Sequence, residues 1–144
     1  EGAQSMRIGT PLGSRLPAAL SATGRALLST LDDDAVIALL GFVAEFPAPT
    51  ENSPRTLDAL RERLARARER GWALDAEESF PGIVGVAVPL EGWAPGDPRL
   101  ALGVASALAR SPRRGGTGYF PAIVMRLNAL IETSSQLSAT YSSR

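Results

Sequence analysis

The feature that most constrains this chain is the run Arg70-Gly71-Trp72-Ala73-Leu74-Asp75-Ala76-Glu77-Glu78-Ser79-Phe80-Pro81-Gly82-Ile83-Val84-Gly85-Val86-Ala87-Val88-Pro89. A basic amphipathic helix ends at a glycine, an acidic triplet follows, and a Gly/Val-rich strand comes next. Carboxylates at the lip of an apolar strand are costly to bury unless something pairs with them. The arrangement suggests a polar anchor in a pocket. The helix before Gly71 is legible in detail: Leu57, Leu60, Leu64 and Ala67 recur at the spacing of one buried stripe, and Thr56 stands where an N-cap is needed.

At 144 residues, 44% hydrophobic and 21% charged, the chain is long enough for one domain with its own core. The net charge is zero, which leaves no general electrostatic reason to hold nucleic acid or an acidic membrane. Apolar runs fall far short of the roughly 20 residues that span a bilayer, and residues 1–10 lack the apolar core of a signal peptide. The expected location is cytoplasmic, with no membrane partner. Cysteine and histidine are both absent, so disulfides, thiol catalysis, zinc–thiolate sites and imidazole bases are excluded. All fifteen basic residues are arginine, a usage that reads as codon bias and excludes Schiff-base chemistry. No metal site and no cofactor is expected.

Residues 3–8 alternate as a short strand, with Met6 and Ile8 on one side, and 9–13 is a turn. A helix starts near Ser21, and Asp32-Asp33-Asp34 opens a second with Val36, Leu39 and Leu40 as its buried face. Residues 44–55 carry three prolines and read as a loop before the helix at 57–70. Strands at 83–90 and 100–106 form a hairpin, and a last helix runs from about 121 to 138. The order β-α-α-α-β-β-α predicts an α+β domain with helices packed on an antiparallel sheet. The opening strand has no partner nearby in sequence, and a strand needs neighbours. The expectation is therefore an N-terminally incomplete fold, the C-terminal part of a longer protein.

Two places combine residues suited to a ligand. Ala22, Thr23 and Gly24 would form the first turn of a helix, whose N–H groups lack intrahelical partners and suit a carboxylate or phosphate. The ordinary alternative is a helix start with small packing residues. If the segment after Trp72 is extended, Asp75 and Glu77 share one face and Glu78 takes the other. One carboxylate could then accept from a ligand hydroxyl; the alternative is a solvated acidic turn. The arginines at 61, 63, 66, 68 and 70 alternate with Glu62 and Glu69 and read as a solvated helix face. Serines at 21, 29, 53, 79 and 106 have no histidine or lysine to activate them, and no phosphate loop follows a strand. The reading is not an enzyme.

Taken in order, four segments resemble the C-terminal effector-binding domain of IclR-family transcription regulators over about residues 3–140. They are Gly13-x-Arg15-Leu16-Pro17 leading to Gly24-Arg25-Ala26-Leu27-Leu28, the Pro/Thr-rich loop ending at Thr56, Gly71-Trp72-Ala73-x-Asp75-x-Glu77-Glu78 with Pro81-Gly82 beyond, and Val86-Ala87-Val88-Pro89 with the hairpin strand to Ser106. The resemblance implies a GAF-like fold, with residues 1–144 as a ligand-sensing and oligomerising domain. It also implies a separate N-terminal winged helix-turn-helix domain, so operator DNA would be bound only through that missing part. A small organic acid effector and a homodimer or tetramer are implied as partners.

Carried over by position, Ala22 and Thr23 would offer N–H groups to a ligand carboxylate, with Gly24 in the same turn. Asp75 would bond a hydroxyl or a bridging water. Ile8, Leu16 and Ile83 would line apolar walls, while Gly85 and Ser106 look inward from the hairpin. Family members often carry histidine where this chain has Ala19, some carry cysteine at Gly85, and serine is common at Val104. These departures imply a roomier, more apolar pocket, suited to an aromatic or larger organic acid. The alternative is a GAF-like interaction or dimerisation module whose interior is filled by its own side chains.

Overall fold

The computed structural model describes residues 11–90 and 98–107, together with Gly96, Met125, Arg126 and Ala129. Helix α1 spans Ala22–Ser29, α2 Asp33–Leu40 and α3 Leu57–Arg70. Strands β1 (Ala73–Ala76), β2 (Ile83–Leu90) and β3 (Leu100–Ala107) form an antiparallel sheet in the order β1-β2-β3. The α+β class with helices on an antiparallel sheet is the architecture observed. The strand expected at 3–8 lies outside the described residues. So does most of the helix expected at 121–138, of which Met125, Arg126 and Ala129 are helical.

Each helix starts on the residue type that satisfies its first amides. The side chains of Ser21, Asp32 and Thr56 accept from the N–H groups of Gly24, Ala35 and Ala59. Helix α3 stops at Gly71, which takes the left-handed conformation (φ 79°) and donates to Ala67 O. Leu60 and Leu64 of α3 are fully buried with Leu28, Val36, Phe46 and Ala19, which forms the core between the helices. Leu39, expected on the buried face of α2, is exposed; Val36 and the half-buried Leu40 carry that contact. With eight residues, α2 presents only a narrow stripe to its neighbours.

The second core is built from small residues. Ala22 and Ala26 of α1 meet Ala67 of α3 and Ala73 and Ala87 of the sheet. Short side chains let α1 lie close on the strands, and a Cβ at Gly103 would sit 2.8 Å from Thr23 Cγ2. Register settles which residues share this face. Asp75 pairs with Gly85 and Gly85 with Ala105, while Ala73 pairs with Ala87 and Ala87 with Gly103. Cross-strand partners project to one side, so these residues line the face against α1. Leu74, Val84, Val86, Val104 and Ser106 line the other.

The arginines of α3 are not a free solvated face. Arg61 donates to Asp33 Oδ2 from Nε (3.1 Å) and Nη2 (2.8 Å), and Arg68 Nη1 donates to Asp33 Oδ1 at 2.8 Å. Arg68 also reaches the carbonyls of Ser29 and Leu31. Arg70 stacks over Trp72 at 3.8 Å from its ring centroid. These bonds tie the start of α2 to α3.

Hydrogen bonds from Arg61 and Arg68 hold the Asp33 carboxyl below the usual carboxylate range. A carboxylate lowered in this way stabilises the fold above its ordinary pKa of about 3.9, and that increment is lost as pH falls through the lowered value. Asp33→Asn is expected to reduce stability at neutral pH and flatten its fall below about pH 4. Urea unfolding of both proteins across that range is the check.

Candidate functional site

The start of α1 is set by the turn before it. Leu20 N and Ser21 N donate to Pro17 O, and the Ser21 hydroxyl takes the Gly24 N–H at 3.1 Å. Among the described residues the N–H groups of Ala22 and Thr23 have no acceptor. They remain the free donors of the first turn, at the positive end of the helix. Gly24 does not join them, because its amide is bonded to the cap. Its lack of a side chain serves the chain instead: a Cβ there would sit 2.4 Å from Ala18 Cα. The expectation that Gly24 shares the free N–H groups of the first turn is corrected, since its amide is taken by Ser21.

Gly85 is where the expected residues converge. A Cβ built on it would lie 3.8 Å from Ala22 Cβ and 3.8 Å from Ala105 Cβ, and its cross-strand partner is Asp75. Ile83 precedes it by two residues on the same face, opposite Ala107. Ala22 and Asp75 thus meet at Gly85, Thr23 lies against Gly103, and Ile83 shares the same sheet face. Ser106 pairs with Val84 and belongs to the opposite face; the residues of β3 that share the Gly85 face are Gly103 and Ala105. A one-residue slip in register accounts for the difference. Leu16, expected as an apolar wall, is 41% exposed. Ile8 lies outside the described residues.

The acidic segment divides differently from an extended strand. Strand β1 ends at Ala76, and Glu77 takes a left-handed backbone (φ 59°) that carries the chain into a turn. Glu77 N donates to Ile83 O at 3.0 Å, and Gly82 N donates to Glu77 Oε2 at 2.8 Å. Asp75, only 6% exposed, accepts at Oδ1 from Glu78 N (2.8 Å) and Ser79 N (3.2 Å). Asp75 is therefore neither solvated nor idle, since one oxygen caps the turn. The Ser79 hydroxyl oxygen on that turn is buried without a hydrogen-bond partner.

Sequence reasoning left out the group that pairs the acids. Arg25 is 1% exposed, and its guanidinium bonds Ala19 O (3.0 Å), Leu74 O and Glu78 Oε2. Arg63 Nε bonds the other Glu78 oxygen at 2.6 Å, and the Ser53 hydroxyl donates to Glu78 O at 2.7 Å. Burial lowers the Arg25 pKa, with Glu78 and then Asp75 opposing it. Arg25, Arg63, Asp75 and Glu78 sum to zero charge. An anion would thus be held by the helix donors rather than by a surplus of arginine. The signal was present: buried carboxylates require a cation, and Arg25 stands inside the small-residue stripe of α1.

An open groove of about 660 Å³ lies elsewhere, among Asn52, Ser53, Pro54, Thr56, Arg63 and Glu78. Its arginines, Arg55 and Arg63, are matched by Glu51 and Glu78, and none of the expected site residues lines it. Among the described residues no acidic cluster could hold a metal ion, and no described helix is long and apolar enough to cross a membrane.

The family model described as bacterial transcriptional regulator IclR C-terminal matches residues 1–138. The probable regulator ArcR of Halobacterium salinarum is 33% identical over 115 residues, 78% of this chain and 42% of that protein. XynR of Escherichia coli is 40% identical over 82 residues, 55% of this chain and 31% of that protein. Both are named as transcriptional regulators, and the chain spans less than half of each. A double mutant of the inducer-binding domain of PobR from Acinetobacter, solved with 3-hydroxybenzoic acid, superposes with a TM-score of 0.70 at 26% identity, covering 92% of this chain and 73% of that one.

The double role of Asp75 has a measurable consequence. Asp75→Ala leaves the buried Glu78 amide and the half-buried Ser79 amide without their acceptor, at about 1–3 kcal/mol of stability. Asp75→Asn keeps an acceptor oxygen and is expected to recover most of that loss. Denaturant unfolding of the two variants checks the difference.

Proposed function

This chain belongs to the IclR family of bacterial transcriptional regulators, as their C-terminal domain, and on that premise we propose that it is a ligand-sensing regulatory domain for a small organic acid. One observation carries the reading. The free N–H groups of Ala22 and Thr23 begin α1 beside Gly85, and the cross-strand partner of Gly85 is Asp75. The first element suits a carboxylate. The second is itself an anion and suits a donor. A hydroxy acid satisfies both, with its carboxylate on the helix and its hydroxyl on Asp75, directly or through a water. Ile83, Gly85, Gly103 and Ala105 supply the surroundings, none of them polar in its side chain, which favours an aromatic or larger acid over a two- or three-carbon one.

In the whole protein, operator binding belongs to a separate N-terminal winged helix-turn-helix domain, and residues 1–144 sense and oligomerise as a homodimer or tetramer in the cytoplasm. The effector prefers one arrangement of protomers, and linkage changes operator affinity by the same preference. That several relatives are named as HTH-type regulators, and that this chain covers about a third of them, supports the division of labour. A second reading, an interaction module with no ligand, is favoured by the ordinary contact distances around Gly85.

A thermal-unfolding screen separates the two readings. The panel is glyoxylate, pyruvate, benzoate and 3-hydroxybenzoate. A ligand at about a hundred times its Kd adds roughly 2.7 kcal/mol, a rise of several degrees in a domain of this size. The expected order is 3-hydroxybenzoate above benzoate, with both above glyoxylate and pyruvate. Asp75→Asn is expected to erase the gap between the two benzoates. Pyruvate or glyoxylate in first place overturns the size argument, and a flat panel overturns the sensor in favour of the interaction module.

A further inference from the structure

Arg25 is a buried charge that the proposed ligand chemistry does not use. A buried guanidinium has more N–H donors than one carboxylate can accept, and Glu78 also holds Arg63 on its second oxygen at 2.6 Å. Arg25 does more. Nη1 donates to Ala19 O at 3.0 Å, in the turn that feeds the Ser21 cap and so places the amides of Ala22 and Thr23. Nη2 donates to Leu74 O, the carbonyl immediately before Asp75, and to the side chain of Glu78, whose own amide is capped by Asp75. One planar fork therefore bonds backbone on both sides of the candidate site. Lysine, a point charge on a flexible stem, lacks that fork.

We infer that Arg25 is the positioning residue that fixes the first turn of α1 against the Asp75 turn. Its consequence for ligand binding rests on the acid-site reading above; its geometric role does not. Arg25 touches no ligand in this scheme and acts through the carbonyls of Ala19 and Leu74. Loss of the fork lets the two halves of the site move independently while the leucine core of α3 stays closed.

The test is native-state hydrogen exchange by NMR on the full chain in three forms: wild type, Arg25→Lys, and the Arg25→Met/Glu78→Leu double variant. Apolar replacement of both members of a buried ion pair is often tolerated, so the double variant removes the fork together with its carboxylate, while Arg63 keeps the carbonyls of Ala59 and Asn52. The expected result is a rise of roughly tenfold or more in exchange at the bonded amides of Leu20, Ser21, Gly24 and Arg25 and at 78–79 together, with Leu60 and Leu64 still protected. If both segments keep wild-type protection in the double variant, Arg25 serves only to neutralise Glu78 and the inference is overturned. A change in one segment alone also overturns it, as does unfolding of both variants, which would make Arg25 a global support. A parallel titration uses 3-hydroxybenzoate as the probe. Coupled exchange with no binding to the wild type upholds the positioning role and refutes the acid site. Binding that Arg25→Lys weakens by about tenfold upholds both.

Discussion

A guanidinium withdrawn from water must find acceptors for a rigid set of N–H groups, and Arg25 finds them on three separate stretches of chain. This one requirement organises the region around it. The turn before α1 is held through Ala19, the end of β1 through Leu74, and the acidic turn through Glu78. Arg63 then carries the network to α3, and the hydroxyl of Ser53 brings in the loop before it. Breaking one member of such a set leaves the others buried and unpaired, which is where the large destabilisations come from. The small residues of α1 serve the same end. Alanines at 22 and 26 and the glycine at 24 allow close packing on both sides, and only then can one arginine reach both the helix and the strand.

The chemistry of the candidate site follows from what that packing leaves over. Among the described residues two amides at the start of α1 have no acceptor, and Asp75 uses one oxygen to cap its own turn. The site thus offers donors at one end and an acceptor at the other, with no net charge among its four ionised neighbours. Such a site discriminates by shape and hydrogen bonding more than by charge. The same balance bears on DNA. Arg61, Arg63, Arg68 and Arg70 of α3 are engaged with Asp33, Glu78 and Trp72, and so are poorly placed to hold phosphates.

Much of this was legible in the sequence, and the remainder has identifiable causes. The helix over 57–70 and the strand over 83–90 appear with the expected bounds because cap, stripe and apolar run all agree. Gly85 lies against Ala22 and pairs with Asp75, and Thr23 lies against Gly103. Ser106 did not meet them, because a hairpin of unknown register leaves strand parity undetermined, and one residue of slip turns a side chain to the other face. Glu77 left the strand because its backbone is left-handed, a conformation that local sequence does not announce for glutamate. Arg25 escaped, although it stands inside the small-residue stripe of α1, because its carboxylate partner is distant in sequence. Only the position of Glu78, 53 residues away, makes it a core residue.

The central claim is that the start of α1 and Asp75 form a single acid site. A crystal structure of this chain grown with 3-hydroxybenzoate addresses it directly. The account predicts carboxylate oxygens within hydrogen-bonding distance of the Ala22 and Thr23 amides, and the hydroxyl on Asp75 directly or through one water. An acid seated instead in the groove between Asn52 and Arg63, with α1 unoccupied, would contradict it.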